Sequence, residues 1–159
     1  TSELSNDTLV AIVANDPSSF HPDFKSDDNA WGPNQNIFNR LVKLNAYDQV
    51  IPDLAETWEW NDDSTQVTFH LHEGVKWHDG EAFTSADVKW TYDTLIAEKW
   101  NKSDSFASVE SIECPDDNTV VMNLKYPDVS LIANYPGMAH SLCQSICTKV
   151  PIQRPMNIT

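Results

Sequence analysis

Three histidines fall close together in the chain, His70, His72 and His78. In Val67–His72 apolar and polar residues alternate strictly, which reads as a strand. Val67, Phe69 and Leu71 then take one face, and Thr68, His70 and His72 the other. Residues i and i+2 of a strand share a face, so two imidazoles could hold one metal ion between them. A small acidic metal-handling module built on His70, His72 and His78 is therefore one expectation for this chain. Against it, no Cys or carboxylate completes a clear donor set, and we expect neither a metal site nor a cofactor.

The other reactive pairs carry less. Glu56 with Glu59, and Asp62 with Asp63, are carboxylate pairs in turn-like sequence, where acids are ordinarily solvated. His140 near Cys143 imitates a Cys/His nucleophile pair, but in a stretch of anomalous composition. There is no G-x-S-x-G and no P-loop. The chain is not expected to be an enzyme.

The bulk composition narrows the remaining classes. The 159 residues are 40% hydrophobic with six Trp, so they can build a packed core. The formal net charge is -14, with only ten Lys and Arg. That excludes nucleic acid as a partner and disfavours an anionic membrane surface. The longest clean apolar run, Leu9–Ala14, is far short of the roughly 20 residues that a spanning helix needs. The polar start Thr1–Asp7 resembles a mature N-terminus after a processed leader. The cysteines, Cys114, Cys143 and Cys147, form no C-x-x-C, give no disulfide framework and suggest no zinc knuckle.

The elements that would position these residues follow from pattern. Thr8–Ala14 is apolar and β-branched, as in a strand buried on both faces of an α/β sheet. Ser18–Pro33 reads as a loop at the C-terminal end of that sheet, where α/β folds place ligands. In Asn34–Leu44 the spacing of Ile37, Phe38, Leu41 and Val42 predicts a helix, with Asn34 as its N-cap. Asp53–Thr57 reads as a short helix or turn. Trp58–Trp60 and Val67–Leu71 read as a hairpin about Asn61-Asp62-Asp63-Ser64. Val75–Trp77 is a short strand, and His78-Asp79-Gly80 a tight turn. Thr84 with Asp87 starts a helix that runs to about Lys99, burying Val88, Tyr92, Leu95 and Ile96. Ser108–Glu113 and Thr119–Leu124 form a second hairpin about residues 115–118, and Val129–Ala133 a last short helix. The acids stop at Asp128, so the tail 139–159 reads as atypical and non-native.

The stretch Pro52–Leu95 carries a denser pattern. It holds Leu54-Ala55 and Trp58, the acidic turn Asp62-Asp63, and Thr68-Phe69 with Leu71. Val75-Lys76-Trp77, Asp79-Gly80, Thr84 and Asp87-Val88 follow at fixed spacings. This resembles the signature segment of the peptide/nickel-type extracellular solute-binding proteins of ABC importers. Thr8–Pro22 looks like the opening strand and turn of that family, and Val120–Pro127 like a following strand. The resemblance covers about Thr8 to Met138 and fails from about Ala139.

The resemblance implies an α/β fold, α+β in the signature region, as the N-terminal part of a two-lobed periplasmic-binding-protein fold of the peptide-binding type. Residues 1–51 would give the opening strand, loop and helix of the ligand-binding lobe, and 52–138 a small α+β subdomain. The implied function is the substrate-binding component of an ABC importer. Such a protein captures oligopeptides or dipeptides by lobe closure, outside the cytoplasm, in the periplasm or tethered to the cell surface by lipid. Its partners are a peptide or other small solute and a membrane permease. In the family a basic residue often stands where His72 does, which weakens the metal reading further. The loop at Ser26, Asp27, Asp28, Asn29, Trp31 and Gly32 matches the family segment that contributes to the ligand cleft, with Trp31 as an apolar wall. Trp58, Phe69, Leu71 and Trp77 are expected in a core, Asp79-Gly80 in a turn, and Asp87 at a helix cap. With the second lobe absent from this sequence, the chain is expected to be an incomplete fragment that self-associates.

Overall fold

The computed structural model describes residues 15–16, 38–99 and 103–133. The predicted strand Thr8–Ala14, the loop Ser18–Pro33 and the tail 139–159 lie outside the described residues.

An antiparallel hairpin is formed by β1 (Val42–Leu44) and β2 (Val50–Pro52), with Val42 opposite Pro52. Four further strands build one antiparallel sheet: β3 (Ala55–Trp60), β4 (Gln66–Leu71), β5 (Val109–Asp116) and β6 (Thr119–Leu124), in the order β3-β4-β6-β5. Helix α1 (Ser85–Ala97) packs on β5 and β6, and a 3-10 turn at Ser103–Phe106 precedes β5. Helix α2 (Ser130–Ala133) closes the described part.

Three expectations are corrected. The helix predicted over Asn34–Leu44 is not formed at its described end, where Val42–Leu44 is a strand. Apolar residues three and four apart suggested a helical face, but the turn that follows decides the conformation. Asn45 Oδ1 accepts hydrogen bonds from the amides of Tyr47 (2.9 Å) and Gln49 (3.0 Å), and Asp48 takes a φ of 56°. Asn and Asp tolerate that left-handed region, so the four residues turn the chain back and pair Val42–Leu44 with β2. Likewise Asp53–Thr57 is not a helix or turn throughout, because Ala55–Thr57 already belongs to β3. A bulge between Ala55 and Thr57 breaks the alternation there and hides the strand from pattern reading. The predicted strand Val75–Trp77 is reduced to a single bridge, Lys76 with Ala82.

The remaining described elements follow the expected lines. Asn61 Oδ1 accepts from the amides of Thr65 and Gln66, both at 2.9 Å, and sets the β3–β4 turn. Gly80 sits at a φ of +92° in the turn between Trp77 and Glu81, where a side chain would be strained. At the start of α1, Asp87 accepts from the Thr84 amide at 3.0 Å and from the Trp77 indole at 3.3 Å, within a capping box. Ahead of α2, Asp128 accepts from the Ser130 hydroxyl at 2.5 Å, which chiefly holds its carboxyl below the ordinary 3.8. A carboxyl lowered in the fold adds stability above its unfolded value and loses it as pH falls through the folded one.

One core joins these pieces. Val67, Phe69 and Leu71 of β4 and Val120, Met122 and Leu124 of β6 meet Val88, Tyr92 and Leu95 of α1. Leu41 and Val42 from the hairpin belong to the same cluster, while Trp58, Trp60, Trp77 and Ile96 flank it partly buried. Tyr92 and Phe106 stack tilted at 5.1 Å. Lys89 bridges helix to sheet, its ammonium donating to Ile112 O at 2.7 Å and to Asp93 at 2.8 Å.

Candidate functional site

The sheet face opposite α1 is polar, and strand register explains how. Glu59, Thr68, Val121 and Glu113 line up across all four strands, and Thr57, His70, Thr119 and Asp116 form the next row. Gln66 donates to Asn123 Oδ1 at 2.7 Å, and the Asn123 amide donates to Ser111 (3.1 Å) and Glu113 (3.0 Å). This is the alternation expected of an antiparallel sheet with one face toward solvent. The amide of Asn118, then the hydroxyl of Thr119, hold the Asp116 carboxyl below its usual range.

His70 and His72 do not converge with His78. His70 Nε2 lies 3.8 Å from Glu59 Oε1, and His72 Nδ1 lies 4.0 Å from Glu56 Oε2. All four side chains are largely exposed, so these contacts contribute little. His78 instead borders a groove with Phe38, Asn39, Leu54, Val75, Lys76, Trp77 and Phe83. Among the described residues no group of three His, Cys, Asp or Glu side chains is placed to hold a metal ion. Titration with Zn²⁺ or Ni²⁺ is therefore expected to show no one-to-one site of micromolar affinity. Such a site, lost in His72→Ala, would contradict this.

The groove beside His78 holds about 50 Å³, room for a few waters. Pockets for small ligands run to roughly 300–1,000 Å³. Trp77 and Phe83 meet edge to face across it at 5.6 Å, which makes it a packing seam.

One polar arrangement among the described residues was missed by sequence reasoning. Asp53, between β2 and β3, accepts from the Arg40 amide at 2.8 Å and the Asn39 side-chain amide at 3.0 Å, and Lys43 Nζ lies 3.5 Å away. Its side chain is only 11% exposed. The amides of Leu54 and Ala55 donate to Arg40 O (2.8 Å) and Leu41 O (2.9 Å). Residues 39–41 are thus pinned to residues 53–55 at the start of β3. The sequence signal was present in the Asn45–Asp48 turn formers, which bring β1 back beside Asp53.

The candidate ligand loop, with Ser26, Asp27, Asp28, Asn29, Trp31 and Gly32, lies outside the described residues, as do His140 and Cys143. The described unit is a small α+β scaffold.

That scaffold is shared by periplasmic binding proteins of the peptide-binding type. The oligopeptide-binding protein AppA of Bacillus subtilis, solved with a nonapeptide, superposes with a TM-score of 0.72 at 25% identity, over 80% of this chain and 26% of its own. The dipeptide-binding protein of Escherichia coli is 32% identical over 148 residues, 80% of this chain and 28% of its own. A protein of Brucella ovis assigned as an ABC transporter peptide-binding protein is 40% identical over 87 residues, 54% of this chain and 16% of its own. The family model of the bacterial extracellular solute-binding proteins, family 5, matches residues 49–150, and the chain belongs to that family. It spans between 16% and 28% of the length of these two curated relatives.

Proposed function

We propose that the chain is part of the substrate-binding component of an ABC importer, which captures oligopeptides or dipeptides between two lobes outside the cytoplasm. The observation that carries this reading is the family match over residues 49–150, on a fold shared with peptide binders. The mechanism is equilibrium capture, in which ligand stabilises the closed arrangement and no bond is made or broken. Ser26, Asp27, Asp28, Asn29, Trp31 and Gly32 line the ligand cleft, with backbone groups for the extended peptide and Trp31 as an apolar wall. Residues 1–51 belong to the ligand-binding lobe and 52–138 to its supporting subdomain, while the family match runs on to residue 150, into the stretch expected to fall outside the family. The protein works in the periplasm or on a lipid tether, and delivers its ligand to a membrane permease.

Calorimetric titration of di- to nonapeptides into the whole protein, expressed from its complete coding region, tests this. Micromolar one-to-one binding of peptides is expected. A whole protein that binds no peptide but takes up a metal chelate or sugar would remove peptides as the substrate class.

A further inference from the structure

We propose that both edges of the four-stranded sheet are closed to a strand from a second copy of this chain. Helix α1 seals the β5 edge through Ser85 and Lys89, and Glu59 guards the one open stretch of the β3 edge. The inference is independent of the solute-binding reading.

An edge strand turns a row of N–H and C=O groups outward, and a second chain can pair with them. Register shows which groups these are. Asn61 N donates to Gln66 O at 3.0 Å, one step beyond the Trp60–Val67 pair. Hydrogen-bonded and non-bonded pairs alternate along an antiparallel ladder. Thr57 and Glu59 therefore bond inward to β4, while Trp58 and Trp60 turn their backbone groups outward. On the other side, Leu71 N donates to Asn118 O and Leu124 N to Thr65 O, both at 2.8 Å. By the same alternation Ser111 and Glu113 bond inward to β6, and Ile112 faces outward.

The outward groups of β5 are taken up by α1. Lys89 Nζ donates to Ile112 O at 2.7 Å. The Ser85 hydroxyl donates to Asp116 O, and the Ser85 amide to Asp117 O at 2.8 Å. Pro115 between them has no N–H to offer. Register shifts at Val109/Ser111 and Glu113/Asp116 bend this strand further, whereas the inner pair β4–β6 keeps one register throughout.

The β3 edge is covered at its start, where the Leu54 and Ala55 amides donate to Arg40 O and Leu41 O. Beyond the bulge, the outward groups of Trp58 and Trp60 have no partner among the described residues. Glu59 stands between them with its side chain 73% exposed. A second copy pairing antiparallel about this short stretch would set its Glu59 against this one, and like charges across a strand pair repel.

Sedimentation equilibrium of the whole protein tests this, with hydrogen exchange read at low and high protein concentration. Wild type is expected to be monomeric. Glu59→Thr and Lys89→Met are each expected to self-associate at least tenfold more tightly. Exchange should slow on association at Trp58 and Trp60 in the first and along Val109–Asp116 in the second. Lys89→Met makes the chain more acidic, so weaker bulk repulsion would not explain its association. Lys89→Arg, which keeps a donor for Ile112 O, is expected to stay monomeric. So is Asp62→Thr, which removes the same charge as Glu59→Thr from the exposed β3–β4 turn. The proposal is overturned if either edge variant stays as monomeric as wild type, or if Asp62→Thr associates as tightly as Glu59→Thr. Association accompanied by faster exchange throughout the sheet marks unfolding and overturns it too, as does a wild type whose edge strands gain protection with concentration.

Discussion

Phe69→Ala is expected to cost about 3–5 kcal/mol and to leave much of the sheet-and-helix unit unfolded at 37 °C. Phe69 lies on β4, one of the two inner strands, opposite Trp58 on β3 and Val120 on β6, and is fully buried. Removing the ring leaves a cavity that the surrounding Val67, Leu71, Met122 and Val88 cannot fill without strain, because such cores are close-packed. Whole domains have only about 5–15 kcal/mol in hand. Thr68→Ala, one residue away on the polar face, is expected to change stability by well under 1 kcal/mol. Urea denaturation followed by circular dichroism measures both. A loss below about 1 kcal/mol in Phe69→Ala would mean that this face is not the core.

The second large effect concerns binding. The 159-residue chain on its own is expected to bind peptide about a thousandfold more weakly than the whole protein. A bilobal binder encloses its ligand with contacts from both sides. Micromolar affinity corresponds to about 8 kcal/mol, and retaining half leaves about 4, a dissociation constant near millimolar. The apolar run Thr8–Ala14, expected to pair with strands from later in a longer chain, would also be left without those partners. Unpaired apolar edges favour association, so the isolated chain is expected to oligomerise. Peptide titration and light scattering on a size-exclusion column read the two effects. Micromolar binding by a strictly monomeric 159-residue chain would contradict both.

Much of the described fold was legible in sequence because single short-range rules govern it. Strict alternation in Val67–Leu71 placed one face inward, and Phe69 and Val67 are fully buried. Thr84 with Asp87 announced the start of α1, and Asn61 with its neighbours the β3–β4 turn. The failures fell where two rules compete. Leu41 and Val42 have helical spacing yet are drawn into extended structure by a turn several residues later and by pairing with β2. A bulge at Ala55 hid the start of β3. Asp53 looked like one acid among many, since its role depends on chain segments that meet only in the fold. The histidines show the converse. Their period was read correctly, but the exposed carboxylates beside them and the separate place of His78 make no shared site among the described residues. The candidate ligand loop was read from its place after an apolar run and from family resemblance, and it lies outside the described residues.

The most direct test of solute capture by this lobe is calorimetric titration of one bound peptide into three forms of the whole protein. These are the wild type, Trp31→Ala, and the double variant His70→Ala/His72→Ala. Micromolar affinity in wild type, at least a tenfold loss in Trp31→Ala and no change in the histidine variant is the predicted result. Unchanged affinity in Trp31→Ala together with lost binding in the histidine variant would contradict it, and would move the ligand to the outer face of the sheet.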